Sequence, residues 1–442
     1  MTLKISVIGT NYLGANTAVG MAEFGFDVLG VDINNERVKT LNAGIPPLYE
    51  PGLEPLLQKH IESGRLRFTT DYSEIADWAD IHFICVGTPQ KSGENDADLS
   101  QLDAVVSTLA PLLTKSTLVV GRSTVPVGTS ARVEHRLRSL SPSGTDVSVA
   151  WQPEFLREAH GVEDTLRPDR LVFGVNSLDS ERSLRTVFAQ PIAKGCPVLV
   201  TNRETAELVK VAANSFLATK ISFINAMADV CDAVGADVTL LADAIGHDVR
   251  IGRGMLNAGP GYGGGCLPKD LRAFIARASE LGSEPMVSLL TQVDHVNSQR
   301  RAQIVKQADA LLQGSGSCRR VAVLGAAFKA GTDDVRDSPA LEIATELQAR
   351  GAVVRVFDPK AVENARRMYP GLDYAESVED ACQAANLVVH LTEWPEFREL
   401  DPHHLKTTVA DPILLDARLV LDPAAWTAAG WVYRAPGIPS GN

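Results

Sequence analysis

Two stretches of this chain share one local plan, a short apolar run that stops at a glycine and leads into a helix-forming segment. Ile5-Ser-Val-Ile-Gly9 opens the first and Val321-Ala-Val-Leu-Gly325 the second. In each case a later apolar run ends in an acid, Val28-Leu-Gly-Val-Asp32 and Val353-Val-Arg-Val-Phe-Asp358. Short, continuously apolar runs read as strands buried on both faces, and helices must then cover both sides of a parallel sheet. Ile81-His-Phe-Ile-Cys-Val86, Thr117-Leu-Val-Val120 and Asn386-Leu-Val-Val-His-Leu391 extend the alternation. The expected fold is α/β, with two Rossmann-like doubly wound domains.

The middle of the chain breaks that rhythm. Glu204 to Val234 contains no Pro or Gly and carries Ala, Leu, Ile and Phe on more than one face. This is the pattern of a long helix buried between domains or subunits. Helical sequence continues to about residue 310, and Gln313-Gly-Ser-Gly-Ser-Cys318 reads as a linker. The expected division is therefore 1–200, a central helical region at 201–312, and a smaller domain at 313–442. Two such domains around a helical connector place a ligand in the cleft between them.

Charge and cysteine usage narrow the function classes. A formal net charge of -12 opposes a nucleic-acid-binding surface. Six cysteines, at 85, 196, 231, 266, 318 and 382, form neither a C-x-x-C pair nor a zinc spacing, which suits free thiols in a reducing compartment. The first residues lack the length and flanks of a signal peptide, and no apolar run approaches the ~18–20 residues of a membrane helix. A cytoplasmic protein without a membrane partner is expected. None of the nine histidines has metal-ligand spacing, so no metal is expected.

The first candidate site is a dinucleotide cradle. Gly9 ends a strand, Gly14 stands at the start of a helix, and Asp32 ends the next strand. A pyrophosphate would sit at the helix amino terminus, where unpaired N–H groups and the dipole favour an anion. Asp32 would accept from the adenosine ribose and repel a 2′-phosphate, favouring NAD over NADP, and Arg37 would lie beside it. Asn11 occupies the usual middle glycine position; asparagine tolerates left-handed geometry but leaves less room. Thr88, Ser123 and Thr124 follow later strands, so their hydroxyls either face the cofactor or cap helices.

Other candidates stand further along. Glu154 and Glu158 would share one face if their segment were helical, as a functional pair or a solvated one. Lys210 and Asn214 share a face of an apolar helix; Lys210 needs either a substrate phosphate or hydroxyl, or an acid such as Glu207. Cys266 closes the run Gly259-Pro-Gly-Tyr-Gly-Gly-Gly-Cys266, with Lys269 and Asp270 just beyond. A lone cysteine is usually a small buried hydrophobe, but a nearby ammonium favours the nucleophilic thiolate, and glycines let backbone approach a ligand. Phe328-Lys-Ala-Gly-Thr-Asp-Asp-Val-Arg-Asp-Ser338 gathers Lys329, Arg336 and Ser338 where a second phosphate-bearing ligand could bind.

In this order, Gly9–Gly14, Val86–Pro89, Ser123–Pro126, Pro153–Glu158, Lys210–Asn214, Gly263–Asp270 and Phe328–Ser338 resemble the UDP-glucose/GDP-mannose dehydrogenase family over nearly the whole chain. Glu163–Arg170 is most similar to the members that act on UDP-glucose. The resemblance implies a nucleotide-sugar substrate, oxidised twice at C6 by NAD, with Cys266 as the nucleophile. It implies that Lys210, Asn214 and Asp270 surround the reacting end, with Thr124 and Glu154 acting through water. NAD would meet Gly9, Asn11, Tyr12, Leu13, Gly14, Asp32, Arg37, Thr88, Ser123, Thr124, Glu158, Lys269 and Arg336. The sugar nucleotide would meet Glu154, Phe155, Leu156, Arg157, Glu158, Lys210, Asn214, Tyr262, Gly263, Lys329 and Arg418, and Arg250 would reach it across a homodimer interface. The first domain would then bind NAD and the last the UDP-sugar. Gln152 and Gly265 depart from the usual Asn and Ser. The alternatives are the same chemistry on GDP-mannose or UDP-N-acetylmannosamine, a 3-hydroxyacid dehydrogenase with a similar first domain and Lys-x-x-x-Asn helix, and a non-catalytic nucleotide-binding regulator.

Overall fold

The computed structural model describes residues 3–313 and 319–439. Residues 314–318 of the expected linker, Cys318 included, lie outside the described residues. Cα proximity separates two compact units: one runs to Ala213 and takes back Arg272–Leu281, and the other holds Asn214–Leu271 and the chain from Gly282.

The first unit is built on eight strands: β1 (Lys4–Ile8), β2 (Asp27–Val31), β3 (Leu66–Thr69), β4 (Ile81–Ile84), β5 (Thr117–Gly121), β6 (Val147–Trp151), β7 (Leu171–Gly174) and β8 (Val198–Thr201). Their order is β3-β2-β1-β4-β5-β6-β7-β8. The first six follow the doubly wound dinucleotide-fold order, whose switch point lies between β1 and β4. All pairs are parallel except β6 with β7, which meet antiparallel at Trp151 and Gly174. Pleating sends Ile5 and Val7 to one face, against Ala15, Ala18 and Val19 of the helix Tyr12–Glu23. Ile8, Val31 and Ile84 face Val133 and Leu137 of the helix Thr129–Leu140 on the other. One polar pair crosses this sheet: Ser6 and His82 stand in register on β1 and β4, both fully buried, with Oγ and Nδ1 2.7 Å apart.

The second unit repeats the plan with β9 (Arg320–Leu324), β10 (Val353–Phe357), β11 (Asp373–Tyr374), β12 (Leu387–His390), β13 (Ile413–Asp416) and β14 (Val432–Arg434). The order β11-β10-β9-β12-β13-β14, all parallel, reproduces the topology of the first six strands. The central helical sequence forms Arg203–Val234, Leu267–Glu280 and Glu284–Leu311. No helix among the described residues is long and apolar enough to cross a membrane.

Candidate active site

Close packing makes the cradle after β1. Gly9 has φ +84°, and a Cβ at Gly14 would lie 1.7 Å from the Gly9 carbonyl oxygen, so the helix Tyr12–Glu23 starts against bare backbone. Asn11 precedes that helix at φ -76° and ψ -154°, extended backbone open to any residue. The left-handed tolerance of asparagine is therefore not used there; what the missing glycine would add is room. Tyr12 and Leu13 are half-buried in the first turn.

Asp32 is 5% exposed and accepts four hydrogen bonds. Its Oδ2 accepts from Thr10 N at 2.9 Å, Thr10 Oγ1 at 3.1 Å and Arg37 Nη1 at 3.0 Å, and Oδ1 from Asn34 N at 3.0 Å. Burial pushes this carboxyl up, but the bonds from Thr10, Asn34 and Arg37 outweigh burial and hold it below the usual carboxylate range. Arg37 is thus fixed beside Asp32. Asp358 takes the equivalent place in the second sheet with a different use. It accepts from the N–H groups of Ala326, Ala327, Lys360 and Ala361 and from Trp394 Nε1, so its lone pairs serve the fold.

Beyond β4 and β5 the hydroxyls join loops. Thr88 Oγ1 donates to Thr124 O and Ser123 Oγ to Val86 O, each at 2.7 Å, which leaves their lone pairs for any ligand. Thr124 itself is half-buried. The segment Gln152–Arg157 is a loop, so Glu154 and Glu158 do not share a helix face as their spacing suggested. Pro153 and a local turn explain this: Glu154 Oε2 accepts from Leu156 N two residues on. Buried Glu50, far off in sequence, accepts from Ala159 N and Gly161 N and pins the end of this loop. Arg157 grips Asp164 with Nε and Nη2, while Glu158 is buried. The Arg170 guanidinium lies 3.7 Å from the Phe155 ring centroid.

Lys210 and Asn214 stand one turn apart on the helix Arg203–Val234, both buried. The acid beside Lys210 is Glu154, Nζ to Oε1 3.1 Å, with the side chains 5% and 11% exposed. Glu207 is engaged elsewhere: its carboxylate caps the helix Thr129–Leu140 by accepting from Gly128 N and Ser130 N. Asn214 Nδ2 donates to Asp270 Oδ2 at 2.7 Å, and Lys269 Nζ donates to Asp270 Oδ1 at 2.6 Å. Asp270 is 2% exposed in the first turn of the helix Leu267–Glu280. Cys266, half-buried, stands directly before that helix, where free N–H groups favour an anion such as a thiolate. One helix start therefore joins Cys266 to the Asn214–Asp270–Lys269 chain of hydrogen bonds.

Around β9 the second unit forms another loop cluster at carboxyl strand ends. Arg418, after β13, donates through Nε to Leu391 O at 2.7 Å and through Nη2 to Phe328 O at 2.8 Å, and it pairs with Glu393 at 3.0 Å. It thereby holds the loop that carries Lys329. Arg336 is clamped by Asp334, Nη2 to Oδ2 2.6 Å. Gly263, Gly264 and Gly265 pack on this segment: an added Cβ would come within 2.2 Å of Asp337 O, 2.8 Å of the Phe328 ring and 2.3 Å of the Arg336 guanidinium carbon. Gly265 thus gives Arg336 its place. Tyr262 is buried, while Arg250 is exposed and paired with Asp248, Nη2 to Oδ2 2.6 Å.

Residues 3–192 match the NAD binding domain of the UDP-glucose/GDP-mannose dehydrogenase family, 204–299 its central domain and 322–423 its UDP binding domain. The chain belongs to this family. A UDP-glucose 6-dehydrogenase of Rhizobium meliloti (strain 1021) is 42% identical over 99% of this chain and 100% of its own length. A UDP-glucose 6-dehydrogenase of Bacillus subtilis (strain 168) is 40% identical over 99% of this chain and 94% of its own. Among solved structures, a UDP-glucose dehydrogenase from Pyrobaculum islandicum superposes with TM-score 0.90 at 36% identity, covering 99% of this chain and 98% of that one. Within the UDP-glucose/GDP-mannose dehydrogenase family, NAD is the cofactor of the first domain. The cradle at Gly9–Gly14, closed to a Cβ at both glycines and flanked by Asp32, whose carboxyl is held below its usual range, fits that dinucleotide. Sequence reasoning missed Glu50 and Glu393, because the partners that give them meaning, the Ala159 and Gly161 N–H groups and Arg418, are distant in the chain. Asn297 and Arg300, polar and a turn apart on one helix, were visible in principle by their spacing.

Proposed function

We propose that this chain oxidises UDP-glucose at C6 to UDP-glucuronate: UDP-glucose, two NAD+ and water give UDP-glucuronate, two NADH and protons. Full-length relatives named for that substrate and matches to all three domains of the family support it. The observation that carries the chemistry is Cys266 at a helix start whose first turn holds the Asn214–Asp270–Lys269 chain. NAD, bound at Gly9, Asn11, Tyr12, Leu13, Gly14 and Asp32, supplies the hydride acceptor.

Lys210 and Asp270 organise the water that takes the C6 hydroxyl proton. The Cys266 thiolate then adds to the aldehyde carbon, and after the second hydride is lost the sugar is held as a thioester. Thr124 and Glu154 direct the water that hydrolyses it, restoring the thiol. Lys329 and Arg418 hold the sugar nucleotide, along with Phe155, Leu156 and Tyr262. Residues 1–200, 201–312 and 313–442 take the cofactor, dimerisation and sugar-nucleotide roles. A homodimer is part of the reading, with Arg250 completing the site of a second copy. Phe216, Phe223, Val230 and Val234, 66%, 51%, 50% and 72% exposed, form one stripe along the helix Arg203–Val234 and support that interface. The described cysteines are free, which supports a cytoplasmic place of action.

Cys266→Ser tests the central step. Turnover to UDP-glucuronate should collapse while NAD titration stays as in the parent. Steady-state activity equal to the parent would remove the thiol from the mechanism.

A further inference from the structure

The loop that leads to Cys266 is tied from the side by one helix, Glu284–Leu311, through residues the reaction chemistry above does not use. Asn297, 2% exposed, holds both backbone groups of Tyr262: Oδ1 accepts from Tyr262 N at 2.8 Å and Nδ2 donates to Tyr262 O at 3.1 Å. Arg301 Nη2 donates to the same carbonyl at 2.8 Å. Arg300, 1% exposed, donates through Nε to Gly259 O at 2.9 Å, with its charge met by Asp229 at 2.8 Å. Asn225 Oδ1 accepts from Gly259 N at 2.8 Å and closes the clamp from the helix Arg203–Val234. Between these ties, Gly261 has φ +102°, and a Cβ there would fall 2.4 Å from Asn297 Oδ1.

The clamped run contains Gly259, Gly261, Gly263, Gly264 and Gly265. Ordering backbone costs about 1–2 kcal/mol per residue and glycine is at the upper end, so such a loop holds one shape only when bonded at several points. The Asn297, Arg300 and Arg301 bonds supply those points a few residues before the sulfur.

We propose that Asn297, with Arg300 and Arg301, is a positioning residue for the nucleophile, fixing the loop so that Cys266 captures the half-oxidised sugar before it escapes. The inference rests on the proposed role of the thiol. In the capture step the thiolate forms a C–S bond to the aldehyde carbon. The carbonyl π pair moves to oxygen, which takes a proton, and nothing is oxidised until the next hydride leaves. A loose loop slows this addition without touching the first hydride transfer, and misplacement by about 1 Å costs up to about a hundredfold.

The experiment runs the full chain with UDP-glucose and NAD+ in the presence of a hydrazide aldehyde trap, scoring NADH per UDP-glucuronate and trapped UDP-aldehyde. The parent should give two NADH per acid. Asn297→Ala and Arg301→Gln should keep the first-hydride rate within about threefold, yet raise the ratio above two and release trapped aldehyde, with capture slowed by about tenfold or more. Asn297→Asp, which keeps the acceptor for Tyr262 N, should restore part of the coupling. If the variants lose both oxidations in equal proportion and release no aldehyde, the positioning role is overturned. Cys266→Ser in the same assay separates the premises. A parent-like ratio and rate from it condemns the thiol reading, whereas aldehyde release from Cys266→Ser but from neither clamp variant condemns the clamp alone.

Discussion

Replacing Asp32 by Asn tests the cofactor end of the site with almost no change in volume. The carboxylate accepts four bonds, three at Oδ2 from Thr10 and Arg37 and one at Oδ1 from Asn34 N. An amide has one acceptor oxygen, so it keeps the Oδ2 set only by turning its NH2 toward Asn34 N. A hydrogen bond to a charged group contributes about 1.5–3 kcal/mol, and the proposed ribose contact is of that kind. Its loss should weaken NAD binding by roughly 10- to 150-fold. NADP should gain relative to NAD, because the repelling charge is gone and Arg37, now lacking its carboxylate, can pair with a 2′-phosphate. Titration calorimetry with both dinucleotides reads the two changes. The sign with pH also follows. A carboxyl held below its ordinary value of 3.8 contributes fully above that pH, and its contribution fades only as pH falls through the lower folded value. The Asp32 share of NAD affinity should therefore be flat from pH 5 to 8. Parent-like NAD affinity in the variant, with NADP no better bound, would refute the assignment of Asp32 to the ribose.

Two further outcomes concern buried charge. Lys210→Met leaves Glu154 buried without its 3.1 Å partner and should cost about 3–5 kcal/mol, whereas Lys210→Met with Glu154→Gln should regain most of the loss and still be inactive. Calorimetry paired with an NADH assay decides it, and a double variant no more stable than the single one sinks the pairing argument. His82 is pushed down to about 3 from 6.5, chiefly by burial and then by Lys115, so the unfolded chain binds a proton that the folded one refuses between those values. Stability should be unaffected by this group above pH 6.5 and fall by about 1.4 kcal/mol per pH unit as the pH drops toward 3. Urea midpoints from pH 4 to 7 should show a shallower acid limb in His82→Gln, and identical slopes would dismiss the effect.

The fold was legible because it is repeated. Strands Lys4–Ile8 and Arg320–Leu324 each follow one exposed cation with four buried, mostly apolar residues, and each ends at a glycine whose positive φ, +84° at Gly9 and +113° at Gly325, begins the crossover. A five-residue run of that kind identifies itself without knowledge of its neighbours. The paired acids show the limit of the method. Asp32 and Asp358 look alike in sequence, yet Asp358 spends its oxygens on four backbone N–H groups and an indole, while Asp32 stands with Arg37 at its strand end. Pattern locates both acids and cannot tell them apart, because the difference lies in Trp394 and in residues brought in by folding.

The same limit governs the site, and it explains which candidates failed. Glu154 and Glu158 have helical spacing, but spacing carries meaning only if the backbone is helical, and Pro153 with the Glu154–Leu156 turn makes it a loop. That loop then does what a helix could not: it turns Glu154 toward Lys210, giving the buried lysine an acid while its sequence neighbour Glu207 caps the helix Thr129–Leu140. Glycine behaves in the opposite way. In sequence, Gly263, Gly264 and Gly265 suggest backbone that a ligand can approach; in the fold, their missing Cβ atoms let Asp337, Phe328 and Arg336 close in. Asn297, Arg300 and Arg301 fix Gly259 and Tyr262 just ahead of them. A glycine-dense stretch before a nucleophile is therefore a statement about how tightly the neighbours pack as much as about mobility, and the residues that make it rigid have to be sought on the helix it lies against.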